Sequence, residues 1–396
     1  MARSLMNPHT AAIVLVFAAT VAAEPPFLLE VGQLPGYPNM WGTALSSDGV
    51  RVVGQAEDPI TGATRPWTWN ATDGLGPLPG PGVGFTNWRP TDVSPGPPHV
   101  FVGARTKPGV TEAYMFTPVG QNRQIGLGDL PGGAFHSEVL AFGGASFVGY
   151  GTSSSGTEAV QWRWNAPIPQ IESLGELPGG RFYGRALGVS RNGGVVVGES
   201  SSAASGLYSE AFRWTPAEGM VGLGDFGGGL FSSTATAVSA DGKVIVGRGT
   251  SALGVEAFRW TAETGMVSLG YLPGGHVYSG ALDVSSDGSV IVGEGTDGAL
   301  MWDKAHGLRS VSAVLAEVGL DVEGWELMNA LSVSDDGRML MGYGFCPTEA
   351  LRVVTWVAYL GTSYQTPEPS ALLLAWAALA AMAVTRLKPR RKPDCS

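Results

Sequence analysis

The stretch Val238-Ser239-Ala240-Asp241-Gly242-Lys243-Val244-Ile245-Val246-Gly247, continued by Glu256-Ala257-Phe258-Arg259-Trp260 and Gly265-Met266-Val267-Ser268-Leu269-Gly270, decides the fold. Its apolar runs are strand-length, and Asp241-Gly242 and Thr264-Gly265 supply turns between them. The same text recurs along the chain. Its terminal glycine appears as Gly54, Gly103, Gly149, Gly198, Gly247, Gly293 and Gly342, at spacings of 49, 46, 49, 49, 46 and 49 residues. A period this regular marks one supersecondary unit copied in tandem.

Each copy reads as a four-stranded antiparallel meander. Asp48-Gly49, Asn192-Gly193, Asp241-Gly242, Asp287-Gly288 and Asp336-Gly337 lie where a tight two-residue hairpin demands positive φ. Leu-Pro-Gly-Gly, as at Leu272-Pro273-Gly274-Gly275, then ends pairing, because proline lacks a donor and glycine permits a sharp change of direction. In Glu210-Ala211-Phe212-Arg213-Trp214 the side chains alternate, placing Phe212 and Trp214 on one face and Ala211 on the other. Large against small lets neighbouring sheets stack closely, as propeller blades do. The third copy, Val139 onward, lacks the Asp-Gly turn.

The last copy stops after its third strand. Its missing strand is at the other end of the chain, where Leu29-Glu30-Val31-Gly32-Gln33-Leu34-Pro35-Gly36 matches Val267-Ser268-Leu269-Gly270-Tyr271-Leu272-Pro273-Gly274. The expectation is an all-β, seven-bladed β-propeller over residues 24–360, its last blade completed by the N-terminal strand so that no sheet edge is left open. Another toroid count or a β-solenoid is the alternative. One copy is interrupted at 311–322, where Val311, Val314, Leu315 and Val318 predict a short helix over 310–317.

The two ends carry address signals. Residues 1–23 combine Arg3, an apolar run and Val21-Ala22-Ala23, as a secretory signal peptide does. Residues 361–370 form a linker containing Pro367-Glu368-Pro369; an uncharged segment at 371–385 and a basic end at 386–396 follow. That order predicts a transmembrane segment with a cytoplasmic tail.

This tripartite tail resembles the PEP-CTERM sorting signal, carried here by Pro367, Glu368, Pro369, the apolar segment and the basic terminus. The resemblance implies recognition by an exosortase, a membrane cysteine-type transpeptidase that removes such tails outside the cell. The repeats are similar to the HAF extracellular repeat. Its His-Ala-Phe-x-Trp reads Glu-Ala-Phe-Arg-Trp at 210 and 256, Glu-Ala-Tyr-Met-Phe at 112 and Glu-Ala-Val-Gln-Trp at 158. Neither resemblance implies a defined biochemical activity.

Removing Arg3, the five tail cations and Asp394 leaves 18 basic and 33 acidic residues, a net charge of −15 in place of −10. Such a surface disfavours nucleic acid and anionic polymers unless divalent cations bridge them. Cys395 leaves with the tail, so Cys346 has no intramolecular disulfide partner.

Chemistry is sparse. Gly222-Leu223-Gly224-Asp225-Phe226-Gly227 spells a dinucleotide pattern, but no helix N-terminus follows to receive phosphates. Glu112, Glu158, Glu210 and Glu256, with Asp129, Glu176 and Asp225, recur in every copy that holds them, which points to blade-edge residues meeting Arg213, Arg259 or water rather than to a catalytic pair. His99, His136, His276 and His306 lack metal-ligand spacing, with His136 and His276 placed after Pro-Gly-Gly seams on one rim. Asn70-Ala71-Thr72 is a glycosylation acceptor by letter alone. No catalytic, cofactor or metal residue is expected.

The sequence thus predicts an exported, non-enzymatic cell-surface or extracellular-matrix protein, presenting propeller rim loops to exopolysaccharide, other glycans or a surface protein. Before processing it would be held in the membrane by its C-terminal segment. A carbohydrate-active hydrolase or lyase on the same scaffold is the alternative.

Overall fold

A computed structural model describes residues 24–118, 123–144, 146–164, 169–274, 277–347, 352–362 and 364. The expected signal peptide, the Pro367-Glu368-Pro369 motif, the apolar segment and the basic tail lie outside these residues, as does His276.

The chain opens with β1 (Phe27–Glu30) and then runs through consecutive four-strand meanders. The first is β2 (Asn39–Leu45), β3 (Val52–Glu57), β4 (Thr64–Asn70) and β5 (Gly74–Pro77). The second is β6 (Asn87–Val93), β7 (Phe101–Lys107), β8 (Val110–Thr117) and β9 (Arg123–Gly126). The third is β10 (Glu138–Gly143), β11 (Ser146–Thr152), β12 (Thr157–Arg163) and β13 (Gln170–Ser173). The fourth is β14 (Gly184–Val189), β15 (Val196–Ser200), β16 (Glu210–Thr215) and β17 (Gly219–Gly224). The fifth is β18 (Gly228–Val238), β19 (Ile245–Ser251), β20 (Val255–Thr261) and β21 (Gly265–Gly270).

An eight-stranded sheet completes the set. One half holds β22 (Ser279–Val284), β23 (Val290–Gly295), β24 (Gly298–Asp303) and β25 (Gly307–Ser310); the other holds β26 (Glu326–Val333), β27 (Met339–Phe345), β28 (Val353–Tyr359) and β1. A single pair, Glu294 with Asn329, joins the halves. Every ladder between these strands is antiparallel, and the fold is an all-β, propeller-like assembly of four-stranded sheets. The N-terminal strand pairs with the last one, Phe27 opposite Tyr359 through Glu30 opposite Trp356, as the split repeat requires.

The Asp-Gly joints are not two-residue hairpins. In the first, Ser46 pairs with Arg51 across a four-residue loop, and Gly49 N–H donates to the Ser46 carbonyl at 2.8 Å. Ser46 Oγ donates to Asp48 Oδ1 at 2.6 Å and accepts from Arg51 N–H at 2.9 Å. Ser190–Asn192, Ser239–Asp241, Ser285–Asp287 and Ser334–Asp336 repeat the arrangement. The serine and acid satisfy the loop's polar groups, and glycine takes the closing position, φ +76° at Gly242. The third meander does without: Gly143 pairs directly with Ser146.

Packing follows the predicted large-on-small rule. Phe258 of β20 is fully buried against Ala211 and Val197 of the preceding sheet, while Phe212 of β16 meets Val148 and Ala159 one sheet earlier. Trp67, Trp88, Trp162 and Trp356 are fully buried. Trp260, at the strand end, is only partly buried, so Phe258 and not Trp260 is the core residue of its strand.

The recurrent glycine has a steric cause. In every four-strand unit the innermost strand bulges by one residue, between Ala235 and Ala237 in β18, for example. The bulge drives the Thr234 carbonyl to 2.0 Å from where a Cβ on Gly247 would stand, and Phe258 Cζ comes to 2.9 Å of it. At Gly54, Gly103, Gly149, Gly198, Gly293 and Gly342 a Cβ would likewise meet the corresponding carbonyl of the adjoining inner strand at 1.9 to 2.0 Å. The bulged threonines tie sheet to sheet: Thr43, Thr91 and Thr236 hydroxyls donate to the Pro90, Val139 and Ala281 carbonyls at 2.7, 2.7 and 2.8 Å.

The predicted helix is α1 (Val311–Glu317), with Ser310 as its N-cap accepting from Ala313 N–H. Val311, Val314 and Leu315 are fully buried in a core to which β23 and β24 of one half of the eight-stranded sheet and β26, β27 and β28 of the other contribute, so the helix is an insertion packed where the two halves meet.

Candidate functional site: one rim and a central channel

Each meander starts at one rim with its innermost strand, so the loops between second and third strands and the Pro-Gly-Gly seams all gather there. On this rim Phe135 and Phe182 of the seams, Leu230 at the start of β18, and Leu207, Tyr208 and Leu253 of the loops are exposed. Seams and loops interlock. Ser233 N–H donates to the Ser209 carbonyl at 3.0 Å, and Gly156 sits against the Phe182 carbonyl. Asp225 accepts from Ser232 and Thr250 N–H at 2.6 and 2.7 Å, and Asp129 from His136 and Thr152 N–H at 2.6 and 2.8 Å.

Inside this apolar crown runs a polar girdle. Arg89 donates to the buried Glu138 at 2.6 Å, whose other oxygen accepts from Tyr150 OH at 2.9 Å. The Arg185 guanidinium lies 5.1 Å over the Tyr150 ring, and His136 Nε2 is 3.2 Å from Tyr150 OH. One sheet on, Glu199 accepts from Tyr183 OH at 2.9 Å and from the Ser209 and Thr234 hydroxyls at 3.1 Å each. Burial, with the Glu138 charge added, holds Tyr150 well above the ordinary phenol range, and burial with the Glu199 charge raises Tyr183 as well. Both stay protonated donors.

The acids singled out in the repeat do other work than expected. Glu112 pairs with Arg105 at 2.7 Å, Glu158 accepts from Ser173 at 2.6 Å, Glu210 from Gly224 N–H at 3.1 Å and Glu256 from Ser268 at 2.5 Å. None meets Arg213 or Arg259 in these bonds; Arg213 turns to Glu218, because strand alternation puts Glu210 and Arg213 on opposite faces. His99 contacts the Ser94 carbonyl and His306 the Asp303 carboxylate, far apart in sequence and partners. Asn70 caps a turn by donating to Asp73. Cys346 is buried, 3.4 Å from Glu30. Gly222 and Gly224 lie in β17, and a strand follows. Among the described residues no group of three or more His, Cys, Asp or Glu could hold a metal ion, and no helix is long and apolar enough to cross a membrane.

The second feature is a central cavity of about 470 Å³ lined by β2, β6, β10, β14, β18, β22 and β26 and by the Asp-Gly loops at the opposite rim. A ladder closes part of that rim: Arg191 N–H to Ala240 O, Ala240 N–H to Ser286 O, Ser286 N–H to Asp335 O and Asp335 N–H to Ser47 O. The Arg191 side chain crosses the mouth to Asp335. Within the wall stand two carboxyls that sequence reasoning missed. Asp92 accepts from Val93 and Phe142 N–H at 2.7 and 2.8 Å, and Asp283 from Val284 and Val333 N–H at 2.8 and 2.9 Å. Each therefore joins its own inner strand to the next. Burial outweighs those bonds and pushes both up to about 7, with the Asp92 and Asp335 charges adding to the effect at Asp283. Their signal was a break in the repeat: the same position holds Ala44, Ala141, Gly188, Ala237 and Ser332 elsewhere.

The fold and its channel define the class as propeller-like. No protein-family model matches the chain, and no curated protein does. Among solved structures it is similar to the β-propeller domain of the Trilobed protease from Pyrococcus furiosus, at 10% identity, covering 83% of this chain and 99% of that one, with a TM-score of 0.47. It is also similar to TolB from Acinetobacter baumannii, at 11% identity over 79% of this chain, with a TM-score of 0.40; the chain spans 64% of that protein. AofleA from Arthrobotrys oligospora is similar at 12% identity, covering 85% of this chain and 86% of that one, with a TM-score of 0.38.

Proposed function

We propose that this is an exported, non-enzymatic, seven-bladed propeller that binds uncharged glycan chains through the rim carrying Phe135, Phe182 and Tyr208. The blade count follows from taking the halves of the eight-stranded sheet, joined by one residue pair, as separate blades. Export and sorting rest on residues 1–23 and on the Pro367-Glu368-Pro369 tail with its apolar and basic segments, which would be handled by an exosortase-type enzyme at the membrane.

The observation that carries the binding reading is the rim itself. Exposed aromatic rings offer flat apolar faces for sugar rings, and the girdle of Tyr150, Tyr183, Arg89 and Arg185 beneath, paired with Glu138 and Glu199, forms a polar floor under them. The acidic mature surface favours a neutral polymer over an anionic one. A hydrolase reading gains little from the channel, since Asp92 and Asp283 sit in like environments, whereas acid and base roles require unlike ones. Retention of the mature domain on insoluble neutral polysaccharides tests the proposal. Binding without new reducing ends, lost in Phe182→Ala/Tyr208→Ala, is expected; new reducing ends or unsaturated products would overturn it.

A further inference from the structure

We infer that the central channel is a binding site for a small organic dication, such as a diamine, held between Asp92 and Asp283. The argument starts from charge. Four ionisable side chains line the cavity, namely Asp92, Arg191, Asp283 and Asp335. Arg191 and Asp335 neutralise each other at the mouth. Asp92 and Asp283 accept only backbone N–H bonds, from Val93, Phe142, Val284 and Val333, and no cation answers them within the lining. Two carboxyls lining one cavity without a counter-ion are poorly solvated as anions, and a ligand bringing two positive charges relieves both at once.

Size and lining select the class. A cavity of about 470 Å³ exceeds a bare ion and suits a short organic chain. Leu187, Leu282 and Leu331 add apolar wall for methylene groups between the charged ends. A metal ion fits poorly, because no third acidic, histidine or cysteine ligand joins the pair among the described residues. The site is also specific to this ring, since the position before Val-Ser is small everywhere else.

Calorimetric titration of the folded mature domain with 1,4-diaminobutane tests this. The probe stays doubly charged, like lysine, at pH values near 5 and near 8.5, while the carboxyls, pushed up to about 7, ionise between them. Binding at least about thirtyfold tighter at the higher pH is expected, as is a loss of about tenfold or more in Asp92→Asn and in Asp283→Asn. The pH comparison on unaltered protein decides the matter even if the variants fail to fold. No binding at the higher pH, equal affinity at both, or binding of calcium in place of the diamine would overturn the inference and leave glycan binding at the opposite rim untouched.

Discussion

Replacing Gly247 with alanine tests why the repeat ends in glycine. The added Cβ would stand 2.0 Å from the Thr234 carbonyl oxygen and 2.9 Å from Phe258 Cζ. An ordinary carbon–oxygen contact is about 3.3 Å, so the strands must part by about 1.3 Å at their bulge. The obstacle is backbone, and Thr236 anchors it to the next sheet through Ala281. Overpacking strain of about 1–3 kcal/mol, plus two weakened ladder bonds of about 1 kcal/mol each, gives a loss of about 3–5 kcal/mol. With an unfolding entropy of about 2.1 cal/mol/K per residue over about 340 residues, that loss lowers Tm by about 4–7 °C. Differential scanning calorimetry reads it directly. Gly76→Ala is the control: nothing lies within 4 Å of its Cβ position. If Gly247→Ala melts within about 1 °C of wild type, or no lower than Gly76→Ala, the steric account of the repeat is wrong.

Three further outcomes follow from the same structure. Stability should fall as pH rises from about 4 to about 8: Asp92 and Asp283, raised from 3.8 to about 7, contribute fully below the unfolded value, and that contribution is lost through the folded one, by at most about 4 kcal/mol per group. Denaturant midpoints across that range check it, with a flat profile the contrary result. Trp162→Ala should cost about 3–5 kcal/mol and Trp260→Ala clearly less, because the first is fully buried and the second is not; equal losses by urea titration would contradict this packing. In an exosortase-positive host the wild-type chain should lose its tail, whereas substitution of Pro367, Glu368 and Pro369 should leave a longer, membrane-retained form; identical processing on immunoblots would count against the sorting proposal.

The architecture was legible because steric and turn chemistry imprint themselves on every copy. Gly54 to Gly342 record one inner-strand bulge each, Ala211 and Phe258 record the stacking of neighbouring sheets, and Leu29-Glu30-Val31-Gly32 announced the shared last sheet. The loop geometry at Asp-Gly was misread, since the serine before it, Ser46 or Ser239, closes a wider loop than Asp-Gly alone suggests. Functional residues were harder to find for the opposite reason. Repetition marks structure, and the groups with special environments are the departures: Asp92 and Asp283 where alanine, glycine or serine stands otherwise, and Tyr150 and Glu199 facing each other's neighbours only after the strands assemble. Arg89 and Glu138 are 49 residues apart, a partnership visible only once sheets are set side by side.

Closure of the ring through its two ends is the claim on which the channel and both rims depend. Phe27 lies opposite Tyr359, their rings 5.7 Å apart. Cysteines at both positions, in the mature domain carrying Cys346→Ala, should oxidise to an intramolecular disulfide that shifts gel mobility and is undone by reductant. A chain that stays reduced under mild oxidant, or links only to other molecules, would show that head and tail do not share a sheet.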